Sequence, residues 1–490
     1  MRHLPNEIFF LIFHYLNLKP ENNGRRPPSS RRFHALSQLL LVCRTWYHVF
    51  LAQVYLSLEV DNPQRRLYRL ARLLLENPGL ASFVQRLWTG GYEIDIAPTN
   101  DIEDKDVFLD PDDDGLLDNP HTRPFHDILI RAIPERKERR RWQRDLIRGL
   151  PDAWIAVLFF LVPNLRFFKL DHSIGPKMWS TLILSRIATV AVDFPFRPLQ
   201  FLEEVFVSEN SPFATRSHLD FIPFLHFPAM RSFFGHSLTD RPEEDYPQPC
   251  PALLPPRRSS GITRLVLSYI HGRSSILRYI TACANLQVFK YEHTDDHSTG
   301  FFPVWSPQHL YQALETQKHS LQGLYVGYWD FKRESFAEVY RLITFRPGFW
   351  GFGSLVEFTH LREIDIPVVF FLEFLGGVPA LDLLDKLPSS VEKLCLSEIL
   401  DRDIDIVVSA LCAMVSSRDQ FPRLQVIEVC LLGLFPGERN GEWFVLVRAA
   451  FAALQGMCNV AGVELRYSSY RASRPKVWPA LEKRLFAPVA

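Results

Sequence analysis

Leu286-Gln287-Val288-Phe289-Lys290-Tyr291, Leu321-Gln322-Gly323-Leu324-Tyr325-Val326 and Leu361-Arg362-Glu363-Ile364-Asp365-Ile366 are three copies of one short pattern. An apolar residue is followed by two variable ones, a second apolar residue, one variable residue and a third apolar residue. Strand alternation sends the second and third apolar side chains to one face. The same pattern starts at Leu165, Leu202, Ile262, Val391, Leu424 and Val460, more weakly at Met230, and Val84-Gln85-Arg86-Leu87 reads as a divergent first copy. Helix-like stretches lie between copies, at Pro307–Gln317, Glu334–Thr344, Ile404–Ser416 and Phe444–Gln455. A short strand followed by a helix, recurring every ~24–40 residues, is the requirement for a stack of repeats in which each unit covers its neighbour's bare flank. The alternative is a plain α/β domain of unrelated strands and helices, because the intervals are uneven and no asparagine ladder is present.

Outward from the array, the N-terminus is organised differently. It reads Leu4-Pro5-x-Glu7-Ile8, then Ile12 and Tyr15-Leu16, and later Leu39-Leu40-Leu41-Val42-Cys43-Arg44-x-Trp46. Pro5 suits a first helical turn, and Glu7 complements the helix dipole there. Ile8, Leu11, Ile12, Tyr15 and Leu16 make one apolar stripe, and Leu36, Leu39, Leu40, Cys43, Trp46, Tyr47 and Phe50 a second. So small a unit cannot bury these groups alone. Between the two stripes lies a Pro- and Arg-rich stretch from Lys19 to Arg32 that reads as a solvated loop.

In residue order this module resembles an F-box, the segment that docks substrate receptors onto the Skp-family adaptor of a cullin–RING ubiquitin ligase. An F-box followed by a degenerate leucine-rich-repeat-like array is similar to many fungal F-box proteins. The resemblance implies an α/β fold: a small helical F-box over 1–55, a connecting helical region over 56–160, and an irregular leucine-rich-repeat-like solenoid over 161–490, its parallel strands backed by helices on the outer face. Carried over position by position, Leu4, Pro5, Ile8, Ile12, Leu16, Leu40, Val42 and Cys43 would face the adaptor. Each aliphatic group fully buried there is worth about 1.5–3 kcal/mol. Cullin and RING subunits would follow through the adaptor, and the repeat region would hold a protein substrate. The chain would then be a non-catalytic receptor. The competing reading is a repeat scaffold whose N-terminal helices only cap the array.

Composition agrees with a folded protein of this kind. Of 490 residues, 47% are hydrophobic and 22% charged, with 55 basic against 55 acidic residues. Zero net charge argues against wholesale nucleic-acid binding. Acidic residues crowd 93–118, read as a loop, and basic ones 131–148, read as an exposed helix; 240–260 is Pro-rich. The seven cysteines include no C-x-x-C pair and read as buried thiols of a reducing compartment, cytoplasmic or nuclear. The longest apolar run, Trp154 to Val162, is too short to cross a bilayer.

Motifs for chemistry are missing from the sequence: there is no P-loop, dinucleotide fingerprint or nucleophile elbow. His293 and His297 flank Asp295 and Asp296, but in a stretch that reads as loop, so no metal or cofactor is expected. What the pattern offers instead is a surface. The variable strand positions Lys169, Asp171, Phe206, His236, Arg264, Lys290, Glu292, Tyr325, Glu363, Asp365, Glu428, Glu464 and Arg466 are expected to share one face and to meet a substrate protein.

Overall fold

The computed structural model describes residues 41, 44–61, 63–90, 119–120, 122–171, 179–189, 197–208, 218–238, 256–270, 275–294, 307–329, 352–375, 378–431 and 441–469. The eight expected adaptor-facing residues, the acidic stretch 93–118, Glu334–Thr344 and the His297 region lie outside them. The chain divides into two units, one built mainly from residues before 215 and one mainly from residues after 231.

The first unit runs α1 (Arg44–Leu56), β1 (Ser57–Asp61), α2 (Pro63–Glu76), α3 (Pro78–Ala81), β2 (Arg86–Gly90), α4 (His126–Ala132), α5 (Arg136–Ile147), α6 (Pro151–Leu158), β3 (Phe167–Asp171), α7 (Trp179–Thr189) and β4 (Glu204–Ser208). Its four strands pair in parallel in chain order, with Leu58, Leu87, Phe168 and Val205 in one register row and Val60, Thr89, Leu170 and Val207 in the next. Both rows are buried, so Val84-x-x-Leu87 is a true copy with Thr89 in its third slot. β1 is a further copy inside the segment read as a connecting helical region. Its first slot, Tyr55, belongs to the end of α1, which hides it from a pattern search. The helices lie against the buried side of the sheet. Phe159 meets Phe168 edge-on at 5.2 Å, and Trp154 of α6 stacks its edge on Tyr68 and Phe125. The indole N–H groups of Trp142 and Trp154 donate to the carbonyls of Ala153 and Leu146, both at 3.1 Å, so these large side chains are buried without an orphaned donor.

The basic stretch is two helices, not one exposed helix. Pro134 follows α4, where its ring and missing N–H stop the helical ladder. α5 then keeps Arg136, Lys137 and Arg141 exposed but buries Trp142, Gln143 and Leu146.

The second unit carries β5 (Ser232–His236), β6 (Arg264–Ile270), α8 (Ser275–Ala282), β7 (Val288–Thr294), α9 (Pro307–Glu315), β8 (Gly323–Trp329), β9 (Glu363–Pro367), a hairpin of β10 (Leu372–Leu375) and β11 (Val378–Leu381), β12 (Lys393–Ile399), α10 (Ile404–Ser416), β13 (Val426–Leu431), α11 (Gly441–Ala461) and β14 (Glu464–Ser469). Apart from the antiparallel hairpin, the strands pair in parallel in chain order, β9 directly with β12. Phe233, Leu265, Phe289, Leu324, Ile364, Leu394, Ile427 and Leu465 form one buried row across the sheet. The last copy is shifted by two residues from the sequence reading. Leu465 aligns with Ile427, so the first slot falls on Gly462, and Val460 projects from α11 at 92% exposure.

Gly235 occupies the third slot of β5 for a spatial reason. A Cβ there would stand 2.7 Å from Leu238 Cδ1 and 3.0 Å from Leu267 Cδ2. One backbone device joins successive copies. The Gln287 carbonyl accepts the N–H groups of both Gln322 and Gly323, that of Gln322 accepts Arg362 and Glu363, that of Arg362 accepts Glu392 and Lys393, and that of Glu392 accepts Gln425 and Val426, all at 2.7–3.1 Å. The same fork recurs in the first unit at Gln85 and Arg166. Each of these repeats is thereby tied to the one before it at its strand entrance. Where an asparagine ladder is missing, Gln317 serves one turn: its buried amide accepts the Leu286 N–H and donates to the Ile280 and Cys283 carbonyls.

Candidate functional site: the variable strand face

Alternation leaves one side chain between the two core positions of each strand, and parallel register lines these up. In the first unit the row is Glu59, Trp88, Lys169, Phe206. In the second it is Phe234, Val266, Lys290, Tyr325, Asp365, Cys395, Glu428, Arg466. A flanking row carries Arg264, Glu363, Lys393 and Glu464, and His236 and Glu292 lie on the other side with Ser268 between them. Asp171 ends β3 beside Ser208 of β4. The register sets these positions between or beside the core slots of their strands, within whichever unit each belongs to.

The chemistry of the two rows differs. In the first unit Lys169 is only 4% exposed, and its ammonium sits 4.0 Å from the Trp88 ring centre and 4.8 Å from that of Phe206. Two ring faces stabilise the cation where water has been removed. Lys169 and Phe206 are thus occupied with each other rather than offered to solvent. Trp88, missed by the sequence reading, is what holds them. It sits in the variable slot of the divergent copy, so applying the alternation to that copy would have found it.

In the second unit charges pair along and across strands. Lys290 Nζ lies 2.8 Å from Glu292 Oε1, with both side chains largely covered. Lys393 Nζ lies 3.3 Å from Glu428 Oε2 on the next strand. Arg466 donates two hydrogen bonds to the Glu464 carboxylate at 2.7 and 2.8 Å, and this lowers the Glu464 pKa. The Tyr325 hydroxyl donates to Glu363 Oε2; burial first, then the neighbouring carboxylates, raise its pKa well above the ordinary phenol value. Cys395 stands in the same slot as Asp365 and Glu428, and its sulfur lies 3.7 Å from that of Cys430. Together with the Glu428 carboxylate these two thiols make the cluster of metal-ligating groups found among the described residues.

Against this geometry two family models match. Residues 205–454 match a leucine-rich repeat domain, and residues 1–56 match an F-box-like domain. The chain belongs to the leucine-rich repeat domain family. No curated protein and no solved structure matches it. The leucine-rich repeat match opens inside β4 and runs into α11, so β5 to β13 lie wholly within it. The F-box-like match ends at the last residue of α1, and the first repeat strand begins at the next residue. In α1, Phe50 and Val54 are buried and Trp46 packs on Phe50 at 5.4 Å, while Tyr47 is exposed. Among the described residues no helix is long and apolar enough to cross a membrane.

Proposed function

We propose that this protein is the substrate-recognition subunit of a cullin–RING ubiquitin ligase. Its F-box-like domain docks on a Skp-family adaptor through Leu4, Pro5, Ile8, Ile12, Leu16, Leu40, Val42 and Cys43, and the leucine-rich repeat domain holds a protein substrate on its variable strand face. The observation that carries this reading is the pairing in one chain of an F-box-like domain with a leucine-rich repeat domain whose strands present an ordered, mixed-charge row. In this reading the chain supplies no reacting group. It raises the effective concentration of the substrate beside a charged conjugating enzyme, and the chemistry belongs to other subunits. A cytoplasmic or nuclear setting suits the thiols. Cys283, Cys395, Cys412, Cys430 and Cys458 form no disulfide, and burial pushes Cys283 up to about 12, which keeps it unreactive.

One observation favours the scaffold alternative. α1 buries Phe50 and Val54 and continues without a break into β1, as a cap on the repeats would. Co-purification separates the readings. The full chain is expected to retain the adaptor, and Leu4→Ala with Pro5→Ala is expected to lose it while circular dichroism and thermal melting stay unchanged. Failure of the unaltered, folded chain to retain any adaptor would leave the capping reading standing.

A further inference from the structure

We propose that Cys395, Cys430 and Glu428 form a binding site for a thiophilic divalent metal ion, zinc above others, on the variable strand face of the C-terminal repeats. The inference does not depend on adaptor docking. Its first support is distance. One ligand atom from each residue lies within 4.8 Å of the other two, and the two sulfurs are 3.7 Å apart. Two thiolates held about 2.3 Å from a tetrahedral zinc stand about 3.8 Å apart. The sulfurs already have the span the ion requires.

The second support is how the backbone produces that span. Cys395 and Glu428 are lateral register partners on β12 and β13, and Cys430 lies two residues further along β13 on the same face. Beyond Leu396 the register slips: three steps on β12, to Ile399, match two on β13, to Leu431. The extra residue is accommodated at Glu398, which is buried and takes φ 61°. A left-handed, buried, non-glycine residue is costly and persists where the surroundings hold it. Bulges of this kind re-aim side chains beside functional sites. Ligands borne on paired strands lose little freedom when an ion arrives.

Burial and charge complete the case. Both cysteines are buried, whereas the Glu428 side chain is 19% exposed, so an ion can arrive from the carboxylate side and keep one position for water or a group from a partner. Asp365 stands on the opposite flank of Cys395, on β9, and adds negative charge. The positive neighbours are Lys393, on Glu428, and Arg466, whose guanidinium also feels Glu428. The metal ligand is the thiolate, so binding releases a proton from each cysteine to solvent as two metal–sulfur bonds form. Thiolate donors select zinc or a similar soft ion over calcium or magnesium.

The test uses the full chain and cobalt(II) alone as the probe. One cobalt per chain is expected, with the near-ultraviolet thiolate-to-cobalt band and the visible bands of a tetrahedral site. Zinc should displace it. Cys395→Ser and Cys430→Ser should each lower the thiolate band by about half, and the double variant should abolish it. Cys412→Ser should leave it unchanged. Should the serine variants fold poorly, Glu428→Gln keeps both thiols and the side-chain volume, and it is expected to weaken zinc affinity on the order of 10–100-fold in competition with a chelating dye. Absence of the thiolate band in the folded protein, its survival in the double variant, or unaltered zinc affinity in Glu428→Gln would overturn the assignment.

Discussion

Replacing Gln317 by Ala should open the structure locally between α8 and β7. The Gln317 amide is buried, and it accepts the Leu286 N–H at 3.0 Å while donating to the Cys283 carbonyl at 2.9 Å and the Ile280 carbonyl at 3.2 Å. The Ile280 carbonyl also receives the Cys283 N–H, so truncation bears chiefly on the Leu286 N–H and the Cys283 carbonyl. A buried polar group stripped of its partner costs about 1–3 kcal/mol. Two such groups, partly relieved by water entering the space, give about 3 kcal/mol. With two units in the chain a single melting temperature is a poor gauge, and amide hydrogen exchange at Leu286 reads the opening directly. A loss of about 3 kcal/mol corresponds to roughly 100–200-fold faster exchange. Gln317→Glu keeps the volume but turns a carboxylate oxygen toward two carbonyls. Burial and those dipoles raise the folded-state pKa of the new acid, so its damage should be greatest at neutral pH and ease as the pH falls through that value. Exchange at Leu286 within threefold of the unaltered protein in Gln317→Ala would refute the claim that this one side chain stands in for a ladder.

Gly235→Ala should destabilise the second unit by about 1–3 kcal/mol, because the new methyl group meets Leu238 and Leu267 at overpacked distances; urea unfolding followed by exchange at Leu267 measures it. Tyr325 favours its protonated form in the fold, so its contribution to stability is complete below pH about 10 and is lost as the pH rises further. Alkaline denaturation of Tyr325→Phe should therefore show a shallower loss of stability above that pH than the unaltered chain.

Much of the fold was legible because the repeat needs only local information. From Leu165 to Leu424 each three-slot copy read from the sequence became a strand with its first and second apolar side chains buried, since alternation and burial are properties of six neighbouring residues. The misreadings have equally local causes. Val460 mimics a first slot but rides on α11, and Gly462, at φ 67°, ends that helix where an apolar residue would stand. The face was legible as a set of positions and illegible as a set of contacts. That Lys169 lies between Trp88 and Phe206, or that Cys395 meets Cys430, depends on the register of strands separated by helices and loops of uneven length. Nothing in six residues encodes it.

The forked carbonyls at the strand entrances bear on how such a chain can change over generations. Consecutive turns are hitched at a single oxygen, from Gln287 through Glu392, and what happens between one hitch and the next is left to the intervening segment. Insertions and deletions there, such as the β10–β11 hairpin between β9 and β12, cost the stack little. The lineage can therefore lengthen or trim its outer loops freely, while a deletion that removes one hitching residue would misalign every turn downstream.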